Sequence, residues 1–154
     1  MDYTVMKHTT GTKRGSALSM RKPIGKRKNK YNAQGIYLEW YGEKKFFHSK
    51  AEGERAKQLQ ILWNEGKITN LRLQPKFDCM VSNVKICQYR ADFEYDTVLD
   101  NKAIGNRVVE DVKGQVTDVY KIKKKLVEVI YGITIHEIPS RDIDKWQNKI
   151  PKTR

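Results

Sequence analysis

The run Val108-Val109-Glu110-Asp111-Val112-Lys113-Gly114 constrains this chain more than any other segment. Read as a strand, its side chains alternate between faces, so Asp111 and Lys113 emerge together while Val108, Glu110 and Val112 emerge on the opposite side. A carboxylate and an ammonium then stand side by side. A short way upstream, Tyr89-Arg90-Ala91-Asp92-Phe93 belongs to a second strand-like run. There Ala91, Phe93 and Tyr95 form an apolar face and leave Arg90, Asp92 and Glu94 on a polar one. If the two runs pair as a hairpin, Asp92 and Asp111 converge with Lys113 beside them. Two converging carboxylates supply the hard oxygen ligands that Mg²⁺ or Mn²⁺ requires. A solvated hairpin face of mixed charge is the commoner product of such a pattern, and the rest of the chain has to decide between the two.

The charge balance favours a polyanionic partner. The 154 residues carry 31 Lys and Arg against 18 Asp and Glu, a formal charge of +13, and such a bias attracts nucleic acid first of all. The charge is unevenly spread. From Tyr3 to Leu38 there are nine Lys or Arg residues and no acid, separated by Gly, Ser, Thr and Asn. That composition cannot bury a core, so residues 1–32 are expected to form a basic, flexible arm and residues 33–154 a single domain. With no apolar run long enough to span a membrane and no secretory signal, the expectation is a cytoplasmic protein without a membrane partner. Cys79 and Cys87 lack a zinc-site spacing. They flank the turn Ser82-Asn83 symmetrically and could be cross-strand neighbours, with free thiols expected in a reducing compartment.

Along the domain, a strand and turn are expected through Ile36–Gly42 and Phe46-Phe47. Ser49-Lys50-Ala51-Glu52 matches the capping box, so a helix starts there, and Gly66 is placed to stop it. Alternating runs follow at Leu71–Met80, Val84–Val98 and Arg107–Lys113. Thr117 or Asp118 caps a second helix whose Val119, Ile122, Leu126 and Val129 or Ile130 recur at helical spacing, and Gly132 ends it. Ile133–Ile138 reads as a last strand, and a short helix is expected around Asp142–Asn148. The order is one helix, three strands, one helix, one strand.

Glu52 shares a helix face with Ala56, Leu59 and Trp63, so its carboxylate leans towards the core. A buried carboxylate is costly unless paired or bound to a cation, which makes Glu52 a candidate third acidic ligand. It is equally the third helical residue of the capping box, where its side chain would take the Ser49 backbone N–H. The segment alone leaves both roles open.

With Ser49-Lys50-Ala51-Glu52, Leu73-Gln74-Pro75-Lys76-Phe77, Ala91-Asp92-Phe93 and Glu110-Asp111-Val112-Lys113-Gly114 in this order, the chain resembles the PD-(D/E)XK nuclease superfamily. More narrowly, it is similar to a small phage-encoded group within it, related to Holliday-junction resolvases and restriction-type endonucleases. The resemblance covers about Lys28 to Ile138. It implies an α/β fold with a restriction-endonuclease-like αβββαβ core, a mixed sheet flanked by helices. It implies that Asp92 and Asp111 bind one or two Mg²⁺ ions, for which Mn²⁺ substitutes, with the Val112 carbonyl as a further ligand. Glu52 would be an acidic ligand or orient water, and Lys113 would position or help activate the attacking water. Ala91 stands where a proline is usual and Asp111 where Glu is commoner, which shortens the reach to the metal.

Beyond that core, Gln115 could orient water or phosphate, or serve only as a turn residue. Lys121, Lys123, Lys124 and Lys125 on the second helix, with Tyr120, could meet a phosphate backbone. Arg14, Arg21, Lys26, Arg27, Lys28 and Lys30 of the arm would add affinity. Tyr31, Tyr37, Trp40, Tyr41, Phe46 and Phe47 could stack on unpaired bases, although aromatics in a short β segment more often fill a core. His48 and His136 read most simply as surface or structural histidines. The leading expectation is a Mg²⁺-dependent DNA endonuclease favouring four-way or other branched DNA, in which symmetric cutting would call for a homodimer. A nicking or restriction-type duplex endonuclease and a non-catalytic basic binding module are the alternatives.

Overall fold

The computed structural model describes residues 34–152, and the basic arm, including Tyr31, lies outside them. The fold is mixed α/β. Strands β1 (Ile36–Trp40) and β2 (Glu43–Phe47) form a hairpin ahead of helix α1 (Lys50–Asn64). Then come β3 (Ile68–Leu73), β4 (Lys76–Val81), β5 (Val84–Arg90), β6 (Phe93–Val98) and β7 (Ile104–Lys113). Helix α2 (Asp118–Tyr131), β8 (Ile135–Pro139) and a 3-10 segment (Ser140–Trp146) complete it. The central sheet has the order β3-β6-β7-β8; its first three strands are antiparallel and β8 runs parallel to β7. None of the helices among the described residues is long and apolar enough to cross a membrane.

Local chemistry explains the boundaries. Ser49 Oγ accepts the Glu52 backbone N–H at 3.1 Å and caps α1. Gly132 ends α2 in the left-handed region at φ 62°, where glycine carries no Cβ penalty. Ser82 and Asn83, both at positive φ, turn β4 into β5.

Two expected runs are each divided. Leu71–Met80 breaks at Gln74, whose φ of 51° and following Pro75 end β3 and start β4 in a different sheet. Val84–Val98 breaks at Ala91-Asp92. The two breaks hold each other, because Gln74 N–H donates to the Asp92 carbonyl at 2.8 Å and Ala91 N–H to that of Pro75 at 3.1 Å. The β4–β5 hairpin therefore leaves the central sheet between its first two strands.

Residue parity on β7 separates two cores. Val108 and Val112 join Phe93, Tyr95, Ile138 and the α1 residues Ala56, Leu59 and Leu62. Val109 joins Ala91, Phe77, Cys79, Tyr89, Ile135 and the α2 residue Val127 on the other face. Ala91 thus sits opposite Phe93 and Tyr95, not beside them, because the break at Asp92 switches the face.

Helix α2 also differs from expectation. Val119, Ile122 and Val129 are 65 %, 62 % and 70 % exposed, so most of the expected apolar stripe points outward, and of it Leu126 packs against the core. The inward face is Val127 together with polar-tipped rings. Tyr131 Oη takes the Asp78 N–H and donates to its carbonyl, and Tyr120 Oη donates to Glu137. Those bonds fix the helix rotation against the hairpin and β8, and hydropathy spacing cannot anticipate them.

Candidate active site

The site lies where β6 begins, β7 ends and α1 begins. Asp92 occupies the gap between β5 and β6, and its backbone N–H donates to the Glu110 carbonyl at 3.1 Å, which seats it against β7. Its carboxylate accepts the Val112 backbone N–H at 2.7 Å. Asp92 and Asp111 approach closely enough for their carboxyls to interact directly, and Glu52 adds a third negative charge nearby. Burial, then Asp111, then Glu52 push the Asp92 pKa up to about 8, against the Val112 N–H that pulls it down.

Asp111 is buried and receives the Tyr89 hydroxyl on Oδ2. Burial and the Asp111 charge hold the Tyr89 phenol well above its ordinary range, so it remains a donor. On the other side Lys113 Nζ lies 2.7 Å from Asp111 Oδ1. That contact is an ion pair without hydrogen-bond alignment, and Oδ1 has no aligned donor. The Lys113 ammonium also sits 4.4 Å from the centre of the Tyr120 ring, a cation–π position that fixes it beside Asp111.

Glu52 keeps the capping role and faces the site as well. Its Oε2 accepts the backbone N–H of His48, not that of Ser49, at 3.0 Å, and Oε1 accepts the Ser49 hydroxyl at 3.2 Å. It lines a cleft of about 970 Å³ together with His48, Val112, Lys113, Gln115 and Arg141. Gln115 follows the end of β7 as an exposed loop residue on that cleft. Asp92, Asp111 and Lys113 are thus brought together, with Glu52, Val112 and Gln115 at the rim. Among the described residues, no three or more His, Cys, Asp or Glu side chains are drawn tightly enough to form a ready-made cation cage.

The lysines of α2 are less free than their spacing implied. Lys121 pairs with Asp118, Lys123 donates to the Gln88 carbonyl, and Lys124 pairs with Glu137 at 2.7 Å. Lys125 is exposed beside the outward apolar stripe. Arg14, Arg21, Lys26, Arg27, Lys28 and Lys30 lie outside the described residues. Cys79 and Cys87 are direct cross-strand partners in the β4–β5 hairpin and are free thiols.

Sequence reasoning missed the buried ion pair behind the site. Arg55 on α1 is fully buried, and its Nε and Nη2 each lie 2.7 Å from a Glu110 oxygen. Tyr95 Oη adds a third donor to Glu110 at 2.5 Å. Burial alone would pull the guanidinium pKa down, but Glu110 holds it up. The remaining Arg55 donors reach the Trp146 and Lys149 carbonyls, tying the C-terminal segment to α1. A signal was available: Glu110 stands between Val108 and Val112 on the face that alternation assigns to the core, and a charge there demands a partner.

A family model described as a protein of unknown function (DUF1064) matches residues 28–139, and the chain belongs to that family. No curated protein and no solved structure matches it.

Proposed function

We propose that this DUF1064 chain is a divalent-metal-dependent endodeoxyribonuclease that hydrolyses phosphodiester bonds in four-way or other branched DNA, in the setting of phage recombination or replication. The observation that carries the reading is the facing pair Asp92 and Asp111, with Asp111 Oδ1 lacking an aligned donor and Lys113 alongside. A buried carboxyl group held against a half-buried one is a poor structural choice, and a bound cation would offset its cost. The order α1, β3, β6, β7, α2, β8 agrees with an αβββαβ core into which the β4–β5 hairpin is inserted. The formal charge of +13 supports a nucleic-acid substrate.

The donor set fits a hard cation. Asp92 and Asp111 would hold Mg²⁺, with Mn²⁺ as substitute, and the Val112 carbonyl and Glu52 would be the further oxygen donors. The ion would supply Lewis-acid polarisation of the phosphate and a lowered pKa for the attacking water. Asp92, whose pKa its surroundings raise to about 8, would have to release a proton to hold the cation, so affinity for the cation would rise with pH. Lys113, steadied by Asp111 and Tyr120, donates to the phosphate oxygen on which charge builds. Tyr89 orients the Asp111 carboxylate from behind.

The test is incubation of the purified protein with supercoiled plasmid, linear duplex and a synthetic four-way junction, each in Mg²⁺ and in a chelator. Metal-dependent cleavage, strongest on the junction or another branched form, is expected. Equal cutting of plain duplex would replace the branched-substrate reading with a nicking or restriction-type one. Tight binding with intact DNA under every metal condition would make Asp92, Asp111 and Lys113 a structural ion cluster in a binding module.

A further inference from the structure

The hairpin β1–β2 divides its aromatic residues sharply. Trp40 and Phe47 are buried against α1, whereas Tyr37 and Phe46 are 70 % and 44 % exposed. These two are direct cross-strand partners on the outward face of the hairpin, with ring centres 5.1 Å apart. Phe46 in turn stands 5.3 Å from the ring of His48. The His48 backbone donates to Glu52 Oε2, so the row of rings runs up to the rim of the cleft that Glu52 and Lys113 line. None of these pairs is stacked in parallel, their planes being tilted by 55° and 72°. The exposure of Tyr37 and Phe46 leaves part of each ring open to a planar ligand. A Cβ on Gly35 would stand only 2.4 Å from Phe46 Cζ, and glycine at that position lets the Phe46 ring settle against the backbone in a fixed orientation.

The surroundings favour one kind of ligand. Lys44 lies on the same outward face, opposite Glu39. Arg90 Nη2 lies 3.5 Å from His48 Nε2, and Lys113 lines the cleft beyond. Exposed rings interleaved with cations at the mouth of a phosphodiesterase-like site suit bases and phosphates together. An aliphatic surface for a protein partner would resemble the α2 stripe of Val119, Ile122 and Val129 instead.

We propose that Tyr37, Phe46 and His48 form a stacking track for unpaired bases, which feeds a single-stranded segment into the cleft lined by Glu52, Val112 and Lys113. The inference rests on the nuclease reading for what happens at the end of the track, and narrows its substrate to branched DNA with an unpaired arm next to the scissile phosphate. A fully paired junction would engage the cleft without using the track.

The deciding measurement is equilibrium binding of the full chain, in chelator, to a labelled single strand, a splayed-arm duplex and a blunt duplex of the same sequence. Removing an aromatic platform weakens single-strand binding by roughly tenfold per ring. The double variant Tyr37→Ala, Phe46→Ala should lose that much on the single strand and splayed arm while its duplex affinity stays within about a factor of three. Tyr37→Phe with Phe46→Tyr should restore the wild-type preference. In parallel, 2-aminopurine in the unpaired arm should be quenched on binding wild-type protein, a readout that needs no variant to fold. Unquenched 2-aminopurine, or equal losses on duplex and single strand, would overturn the track. Because every arm is metal-free, base stacking without cleavage in Mg²⁺ would remove the nuclease reading and leave the track standing. Cleavage with no preference for unpaired strands would do the reverse.

Discussion

Glu110 and Asp111 are consecutive residues of β7, both buried acids, yet their surroundings differ in kind. Glu110 points to the α1 face, where Arg55 and Tyr95 meet its oxygens with three well-aligned donors. Asp111 points to the α2 face, where one oxygen takes the Tyr89 hydroxyl and the other has an ammonium nearby without an aligned hydrogen bond. A second carboxylate, Asp92, stands against it. Complete pairing is what a buried charge needs if its task is to hold elements together. Incomplete pairing beside a second carboxyl group is what a buried acid needs if its task is to bind something else. On the proposed nuclease reading, the same strand carries a structural acid and a functional one in consecutive positions.

The largest effect expected from this contrast is on catalysis. Asp111→Asn keeps volume and removes the ligand charge, so Mg²⁺-dependent cleavage should fall by roughly 100- to 1000-fold or more. Its melting temperature should stay close to wild type, because an amide of the same size keeps an oxygen to accept the Tyr89 hydroxyl. Plasmid and junction cleavage assays on the folded variant check this, and undiminished cutting would break the functional half of the comparison.

Next in size is Arg55→Met, which leaves Glu110 buried without its cation. Removing one partner of a buried pair costs about 3–5 kcal/mol, and here the Trp146 and Lys149 carbonyls lose donors as well. Urea unfolding should report that loss, with Mg²⁺ affinity of the folded fraction retained. A cost under about 1 kcal/mol would mean that Glu110 is no more structural than its neighbour.

How much of this contrast could be read beforehand depends on the range of the interaction. The Ser49-Glu52 cap, the Gly132 stop, the Ser82-Asn83 turn and the side-by-side emergence of Asp111 and Lys113 are local, set by neighbours a few residues away, and the sequence carries them plainly. Arg55–Glu110 joins residues 55 apart, and alternation could say only that Glu110 faced inward, not what awaited it. The break at Gln74 and Ala91 escaped for the same reason, since its two halves stabilise each other across the sheet. The rotation of α2 was set by hydroxyls of Tyr120 and Tyr131 finding Glu137 and Asp78, so polar tips overrode an apolar stripe that reads as inward. Tyr37 and Phe46 could be told from Trp40 and Phe47 only once the face that α1 covers was known.

The pH dependence of stability should sharpen the contrast by a smaller amount. The Asp92 pKa is raised from 3.8 to about 8 by burial and by the Asp111 and Glu52 charges. Between those values the folded state binds a proton that the unfolded state has lost, so metal-free stability falls as pH rises, by up to about 1.4 kcal/mol per pH unit. Asp92→Asn should flatten that slope, because the amide can still accept the Val112 N–H. His136, whose half-buried ring is pushed below its ordinary 6.5 by desolvation, contributes the opposite slope in both proteins and cancels in the difference. Melting curves from pH 5 to 9 in chelator make the comparison, and parallel wild-type and variant profiles would show that Asp92 carries no such burden.

The smallest effect concerns Glu52, which has a foot on each side of the comparison. Both of its oxygens are engaged at the start of α1, by the His48 N–H and the Ser49 hydroxyl, and yet it lines the cleft. Glu52→Gln keeps a carbonyl oxygen for one of those bonds and loses the charge. Its melting temperature should therefore shift little, while cleavage drops about tenfold, the lower end of what an outer ligand contributes. Glu52→Ala should show the same loss of cleavage and a further stability cost of about 1 kcal/mol, the worth of a helix cap. Each oxygen of a carboxylate can accept more than one bond, so a capping contact leaves capacity for a water or cation on the cleft side. If both variants cleave like wild type and only the alanine melts early, Glu52 belongs wholly with Glu110 among the structural acids, and the functional set contracts to Asp92, Asp111 and Lys113.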